Sequence, residues 1–244
     1  IILSHACTVP AAMLLLTTWC ITSNQSSVSK IKTVLFDLDG TLIDTAPDMA
    51  AALETLCQEE KQPVLAYEQV RPVVSNGSVA LINLAFGDIV EDDRLTHLKQ
   101  RYLEIYQENI CIESTPFEGI ETVLGHIEDN GLNWGVVTNK PGWLTLPLMS
   151  KLQLAQRAAT IVSGDTTKNS KPHPEPMNHA CNEANSEAHE CMYIGDARRD
   201  IEAGNNAGMK TVVANYGYIA TGEDVTTWGA DAIINAPEDI LFYL

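Results

Sequence analysis

The sequence predicts an α/β protein, a doubly wound parallel sheet with an all-helical insert after its first strand. Three observations carry this expectation. From residue 32 to the end, short apolar runs alternate with longer stretches of helical spacing, the order that a parallel sheet with crossover helices requires. Between about residues 48 and 113 the alternation stops and only helical patterns remain. Four of the apolar runs end in Asp, Thr-Asn, Gly-Asp and Gly-Asp, at the strand ends beyond which such sheets hold their ligands.

Taken in chain order, TVLFDLD (33–39) is a strand that ends in charge. DMAAALETLCQEE (48–60) and EDDRLTHLKQRYLEIYQENI (91–110) have helical spacing, and RPVVSNGSVALINLAFG (71–87) holds a loop and a further helix. The chain returns at TPFEG (115–119). An insert placed this way would lie over the strand ends as a lid. The later strands are WGVVTN (134–139), ATIVSGD (159–165), CMYIGD (191–196), KTVVANYG (210–217) and ADAIIN (230–235). Each is apolar and β-branched, as a strand buried on both faces should be. Helices are expected over about 119–130, 142–152, 175–184 and 200–207.

The totals narrow the partners. Asp and Glu outnumber Lys and Arg by 32 to 15, a net charge of −17. Without a basic block, nucleic acid and anionic membranes are disfavoured as partners, but a small phosphorylated ligand needs only a local cluster of donors. The six cysteines are scattered without a C-x-x-C pair, which suits reduced thiols in a cytoplasmic protein. The six histidines show no metal-ligand spacing. Residues 1–30 differ from the rest: an apolar run lacking a preceding positive charge, then the polar TSNQSSVSK. They are expected to be a disordered or artefactual extension rather than an export signal; a working signal would overturn the cytoplasmic expectation.

Asp37 and Asp39 pose the chemical question. Side chains two apart on an extended segment share a side. Two carboxylates facing one pocket repel unless one is protonated or a cation lies between them. A hard divalent ion, Mg2+ by preference, resolves the repulsion and calls for a further carboxylate from another strand end. Asp196 is the first choice. Asp200, one helical turn on, serves either as an outer metal partner or as a stabiliser of its helix N-terminus. With a metal in place Asp37 can attack phosphorus, and Asp39 can protonate the leaving oxygen and then activate water. Thr138 and Asn139 offer donors, and Lys171, ahead of Pro172, offers charge to the developing anion. Lys168 is the rival of Lys171. Gly40, with Thr41 after it, allows close backbone approach to a phosphate.

The motifs DLDGT, VVTNK, SKPHPEP and IGDARRD, in this order, resemble those of the haloacid dehalogenase-like phosphatases, over nearly all of 32–244. The resemblance implies a Rossmann-like core (31–46 and 116–244) with a helical cap (47–115). It implies Asp37 as nucleophile, Asp39 as general acid/base, and Thr138 and Lys171 as the phosphate-binding pair. Asp196 would ligate Mg2+ with Asp37 and the backbone carbonyl of Asp39. Dehalogenases lack an acid at the position of Asp39, and transport ATPases carry threonine there, so Asp39 favours phosphomonoester turnover. A β-phosphoglucomutase-like sugar phosphomutase keeps both acids and a helical cap and is the alternative. Specificity is expected in the cap, with Asn76 and Gly77 in the loop SNGS and with Arg71 on a substrate carboxylate. Arg198 and Arg199 are expected to be surface charges or partners of the acids. Over its length the chain is similar to the phosphoglycolate phosphatase group, and in wording to phosphatases of N-acetylmuramic acid 6-phosphate. The oligomeric state is not legible.

Overall fold

A computed structural model describes Ile1, residues 30–87 and residues 92–244. Residues 2–29, where most of the expected extension falls, lie outside the described residues. In chain order the elements begin with β1 (Thr33–Phe36), β2 (Ile43–Asp44), α1 (Ala46–Glu59) and α2 (Tyr67–Val70). A 3-10 turn (Arg71–Asn76), α3 (Gly77–Phe86), α4 (Asp92–Glu108) and β3 (Thr115–Pro116) follow. Then come α5 (Ile120–Asp129), β4 (Asn133–Val137), α6 (Gly142–Lys151), β5 (Thr160–Val162) and α7 (Glu175–Glu183). The chain closes with β6 (Cys191–Gly195), α8 (Arg198–Ala207), β7 (Lys210–Ala214), β8 (Ala232–Ile234) and a 3-10 turn (Pro237–Tyr243).

The sheet is parallel throughout, in the order β5-β4-β1-β6-β7-β8. β1 lies at its centre, with Phe36 paired to Val136 of β4 on one side and Ile194 of β6 on the other. The chain builds outward through β4 and β5, then crosses back to start β6 on the far side of β1. The winding therefore reverses between β1 and β6, and the ligand crevice of a doubly wound sheet lies beyond the strand ends at that reversal. All four side chains of β1 are buried, as its apolar composition and central place require.

The expected helical insert is present. Helix α1 buries Met49, Ala52, Leu53, Leu56 and Cys57, a stripe at helical spacing. It packs chiefly on α4, which buries Leu98, Tyr102, Ile105 and Tyr106. The antiparallel pair β2–β3 has no counterpart in the sequence reading. It sets Ile43 opposite Pro116 and Asp44 opposite Thr115, holding the outgoing and returning chains of the insert side by side. Two residues per strand are too few to leave a periodic signal.

Asp48, in the first turn of α1, fastens the returning chain. Its carboxylate accepts from the backbone N–H of Ile112 (3.0 Å), Glu113 (2.8 Å) and Ser114 (3.0 Å), and from the Ser114 hydroxyl (2.6 Å). Asp48→Asn sets an amide donor against these donors and removes the charge that strengthens all four bonds. The expected result is a loss of about 2–4 kcal/mol in urea unfolding.

Among the described cysteines, Cys57, Cys111, Cys181 and Cys191 are free thiols. No helix of the described residues is long and apolar enough to cross a membrane.

Candidate active site

β1 delivers Asp37 to the crevice. The Asp37 N–H donates to Ile194 O at 2.8 Å, one rung beyond the strand, and the chain then turns, with Leu42 N–H donating to Asp37 O and Leu38 O. The run expected to stay extended through Asp39 thus ends at Phe36. Leu38 still follows Val34 and Phe36 into one core cluster, so Asp37 and Asp39 both face a common cavity. Gly40 completes the turn at φ +85°, and a Cβ there would lie 2.2 Å from Asp196 Oδ2. Both conditions demand glycine.

Asp196 follows β6, and Asp200 lies in the first turn of α8. One carboxylate oxygen each from Asp37, Asp196 and Asp200 lies within 4.8 Å of the others, and all three residues are buried. Burial pushes Asp37 up to about 6 against the pull of Lys171. Burial, with Asp37 and Asp200 beside it, pushes Asp196 up to about 7. Lys171 Nζ donates to Asp37 Oδ1 (2.8 Å), Val137 O (2.9 Å) and the Tyr193 hydroxyl (2.8 Å). It also forms an ion pair with Asp200 Oδ1 at 2.8 Å, outside hydrogen-bond direction. When all three are ionised, the one ammonium bonded to them leaves two carboxylate charges without a direct counter-charge. An all-oxygen donor set with that deficit fits a hard divalent cation.

The remaining contacts of Asp196 are donors: the Thr41 hydroxyl to Oδ1 (3.1 Å), and Tyr218 N–H (2.9 Å) and the Ser75 hydroxyl (2.6 Å) to Oδ2. Asp200 Oδ2 accepts from Ala197 N–H at 2.9 Å, so Asp200 stabilises the start of α8 and belongs to the acid group as well. The side chain of Asp39 stands outside that group. Its Oδ1 accepts from the Thr45 hydroxyl (2.6 Å) and Lys140 Nζ (2.8 Å), and its Oδ2 has no partner among the described residues.

Thr138, beyond β4, lines the cavity with Asp37, Asp39 and Lys171. Asn139 also lines it, but its amide is bonded to the backbone of Lys171: Nδ2 donates to Lys171 O (3.1 Å) and Oδ1 accepts from Lys171 N–H (3.0 Å). Asn139 thereby holds the segment that carries the lysine. Lys171 is buried, whereas its rival Lys168 is exposed.

The insert supplies the other wall of this cavity of about 310 Å³. Asn76 and Gly77 line it, and Gly77 has φ +80° with open space where a Cβ would lie. Arg71 does not line it. Its guanidinium donates to Gly217 O (3.2 Å) and stacks 4.8 Å from the Tyr218 ring centre. Gly40 and Thr41 also lie outside the lining, behind Asp196. Arg199 does line the cavity and donates to Ser75 O. Ser75 is therefore tied to Asp196 through its hydroxyl and to Arg199 through its carbonyl, which latches the insert onto the acid group. The sequence reading gave no site role to Ser75, Lys140, Tyr106 or Tyr218, whose side chains meet residues distant in the chain.

A family of haloacid dehalogenase-like hydrolases matches residues 34–214, from the first strand through the last site acid to the end of β7. The chain belongs to that family. Within these hydrolases it is 41% identical over 212 residues to the N-acetylmuramic acid 6-phosphate phosphatase of Pseudomonas aeruginosa, covering 87% of this chain and 94% of that protein. It is 38% identical over 209 residues to the phosphoglycolate phosphatase of Xanthomonas campestris, covering 86% and 94%. Among solved structures, a predicted phosphoglycolate phosphatase from Haemophilus somnus superposes with a TM-score of 0.78 at 25% identity, covering 87% and 97%. The kinship of this hydrolase is thus with phosphatases.

Proposed function

We propose that the protein is a Mg2+-dependent phosphomonoester hydrolase working through an aspartyl-phosphate on Asp37. The observation that carries this reading is the convergence of Asp37, Asp196 and Asp200 with Lys171 at the point where the sheet winding reverses. Asp37, Asp196 and the backbone carbonyl of Asp39 would hold the ion, with Asp200 behind them. When bound, Mg2+ supplies positive charge to the acid group and to the phosphoryl oxygens.

Lys171 and Thr138 orient the phosphoryl group, Lys171 also fixing Asp37. A carboxylate oxygen of Asp37 forms a bond to phosphorus as the ester P–O bond breaks, and Asp39 gives its proton to the departing oxygen. Water then attacks phosphorus, Asp39 takes its proton, and the P–O bond to Asp37 breaks. Both anchors of Asp39 fall on Oδ1, so Oδ2 is the oxygen aimed at the ester. Thr45 and Lys140 hold it there. Arg71 acts as a brace through Gly217 and Tyr218.

The substrate is a small phosphorylated metabolite, 2-phosphoglycolate or N-acetylmuramic acid 6-phosphate, the compounds after which the related phosphatases are named. Both relatives hydrolyse, which favours hydrolysis over the mutase alternative. The test is a side-by-side kcat/KM comparison on these two esters and a panel of sugar phosphates, with EDTA and with restored Mg2+. Activity insensitive to EDTA, or product that is an isomeric phosphate, would defeat the reading.

The raised acids give a pH signature. A carboxyl held above its unfolded value favours folding below about pH 4, and that contribution is lost as pH rises through the folded values near 6 and 7. Mg2+ binds the ionised form and offsets the loss. Mg2+ should therefore raise the thermal midpoint by about 5 °C or more at pH 8 and by much less at pH 5, as read by scanning fluorimetry.

A further inference from the structure

The lining of the cavity holds more positive charge than the phosphoryl chemistry uses. Lys171 is committed to Asp37 and Asp200 with its side chain fully buried, and Arg199 gives one N–H to Ser75 O while its charge lies on the Asp37 side of the cavity. Lys140 is different. Its buried ammonium gives one of three protons to Asp39 and lies 4.4 Å from the ring centre of Tyr106. The Tyr106 hydroxyl, on a residue 1% exposed, has no hydrogen-bond partner among the described residues. Buried hydroxyls are rarely left so; this one sits beside the Lys140 ammonium on a residue of the cavity lining, where a small side-chain adjustment opens it to a ligand. Two helical turns earlier on the same face of α4, Lys99 lines the cavity with no ion-pair or hydrogen-bond partner among the described residues. Apolar side chains such as Met49, Val74, Leu103 and Leu144 fill out the wall.

Building on the phosphomonoesterase assignment, we propose that Lys99, Tyr106 and Lys140 form a second anion subsite that selects phosphomonoesters whose leaving group carries a carboxylate. The cavity size falls in the range of small-ligand sites, with room beyond a phosphoryl group. In a chain of net charge −17, with Asp37 and Asp39 in the same cavity, a doubly anionic ester needs local cations to enter. This subsite takes the place that the sequence reading assigned to Arg71.

The test is a matched-pair assay on the full chain with Mg2+. One pair is 2-phosphoglycolate and its amide. The other is N-acetylmuramic acid 6-phosphate and N-acetylglucosamine 6-phosphate, which lacks the carboxylate-bearing lactyl ether. The wild type should prefer the acid in at least one pair by about tenfold or more in kcat/KM, the scale of a charge-assisted hydrogen bond. Lys99→Gln and Tyr106→Phe should each lower that acid-to-neutral ratio by about threefold to tenfold, mainly through KM; Lys140→Gln should lower the ratio similarly but also lower kcat on every ester, because Lys140 also anchors Asp39. Tyr106→Phe should lower the ratio with a thermal midpoint changed by no more than about 3 °C, because its hydroxyl makes no well-directed hydrogen bond among the described residues. A wild-type ratio of one or less in both pairs, or an unaltered ratio in all three variants, overturns the subsite. If p-nitrophenyl phosphate is cleaved in that case, the phosphatase assignment survives alone. If no ester is cleaved, the assignment fails and the subsite falls with it.

Discussion

Asp37→Asn should lower kcat by about 10⁴-fold or more while leaving the fold intact. Asparagine keeps the shape of aspartate but cannot attack phosphorus and be released again as a carboxylate. The structural consequence runs the other way from the catalytic one. Burial holds the Asp37 carboxyl up to about 6, so its ionisation at neutral pH opposes folding. Without metal, the neutral side chain removes one of the uncompensated charges near Asp196 and Asp200. Lys171 keeps its contacts with Asp200, Val137 O and Tyr193. The thermal midpoint of metal-free Asp37→Asn at pH 8 should equal or exceed that of the wild type. Residual turnover within a hundredfold of the wild type would contradict the covalent route. A collapse in stability would show that Asp37 is mainly a structural partner of Lys171.

Lys171→Met should fail on both counts. The lysine side chain is fully buried and meets two carboxylates and a carbonyl. A methionine of similar length leaves those groups in a dry site with no counter-charge. Breaking a buried pair in this way costs about 3–5 kcal/mol, to be read by urea unfolding at pH 8 in EDTA. Turnover should fall by about 10²–10³-fold, the scale of a lost donor to a developing anion. The double variant Lys171→Met with Asp37→Asn separates the two effects. It should recover about 1–3 kcal/mol relative to the sum of the single changes, because the second substitution removes a charge that the first left bare. Full additivity would mean that the 2.8 Å contact between Lys171 and Asp37 carries no coupling.

What was legible in the sequence was the chemistry carried by short, dense motifs. DLDGT and IGDARRD lie at the ends of strands that open on the crevice, so the strand ends alone placed Asp37 and Asp196, whereas Lys171 of SKPHPEP lies in the loop between β5 and α7 and reaches the site through the Asn139 clasp. The choice of Lys171 over Lys168 rested on the following proline; Lys171 is buried and Lys168 exposed. Asn139 shows the limit of motif reasoning: an amide can serve a ligand or a backbone, and this one clasps Lys171 from both sides. Arg71 shows another limit. A guanidinium in the cap can reach a substrate only if nothing nearer takes it, and Gly217 with Tyr218, 146 residues away in sequence, does. The Asp48 clasp on residues 112–114 and the Ser75 latch on Asp196 are equally long-range. Such contacts depend on how the insert docks on the core, which no local pattern records.

The central claim is that Asp37 carries the phosphoryl group, and acid-quenched mass spectrometry of the wild-type enzyme during turnover tests it most directly. The account predicts the mass increment of one phosphoryl group on the peptide containing Asp37, absent in Asp37→Asn and without substrate. Turnover with that peptide unmodified, or with the phosphoryl group on another residue, would contradict it.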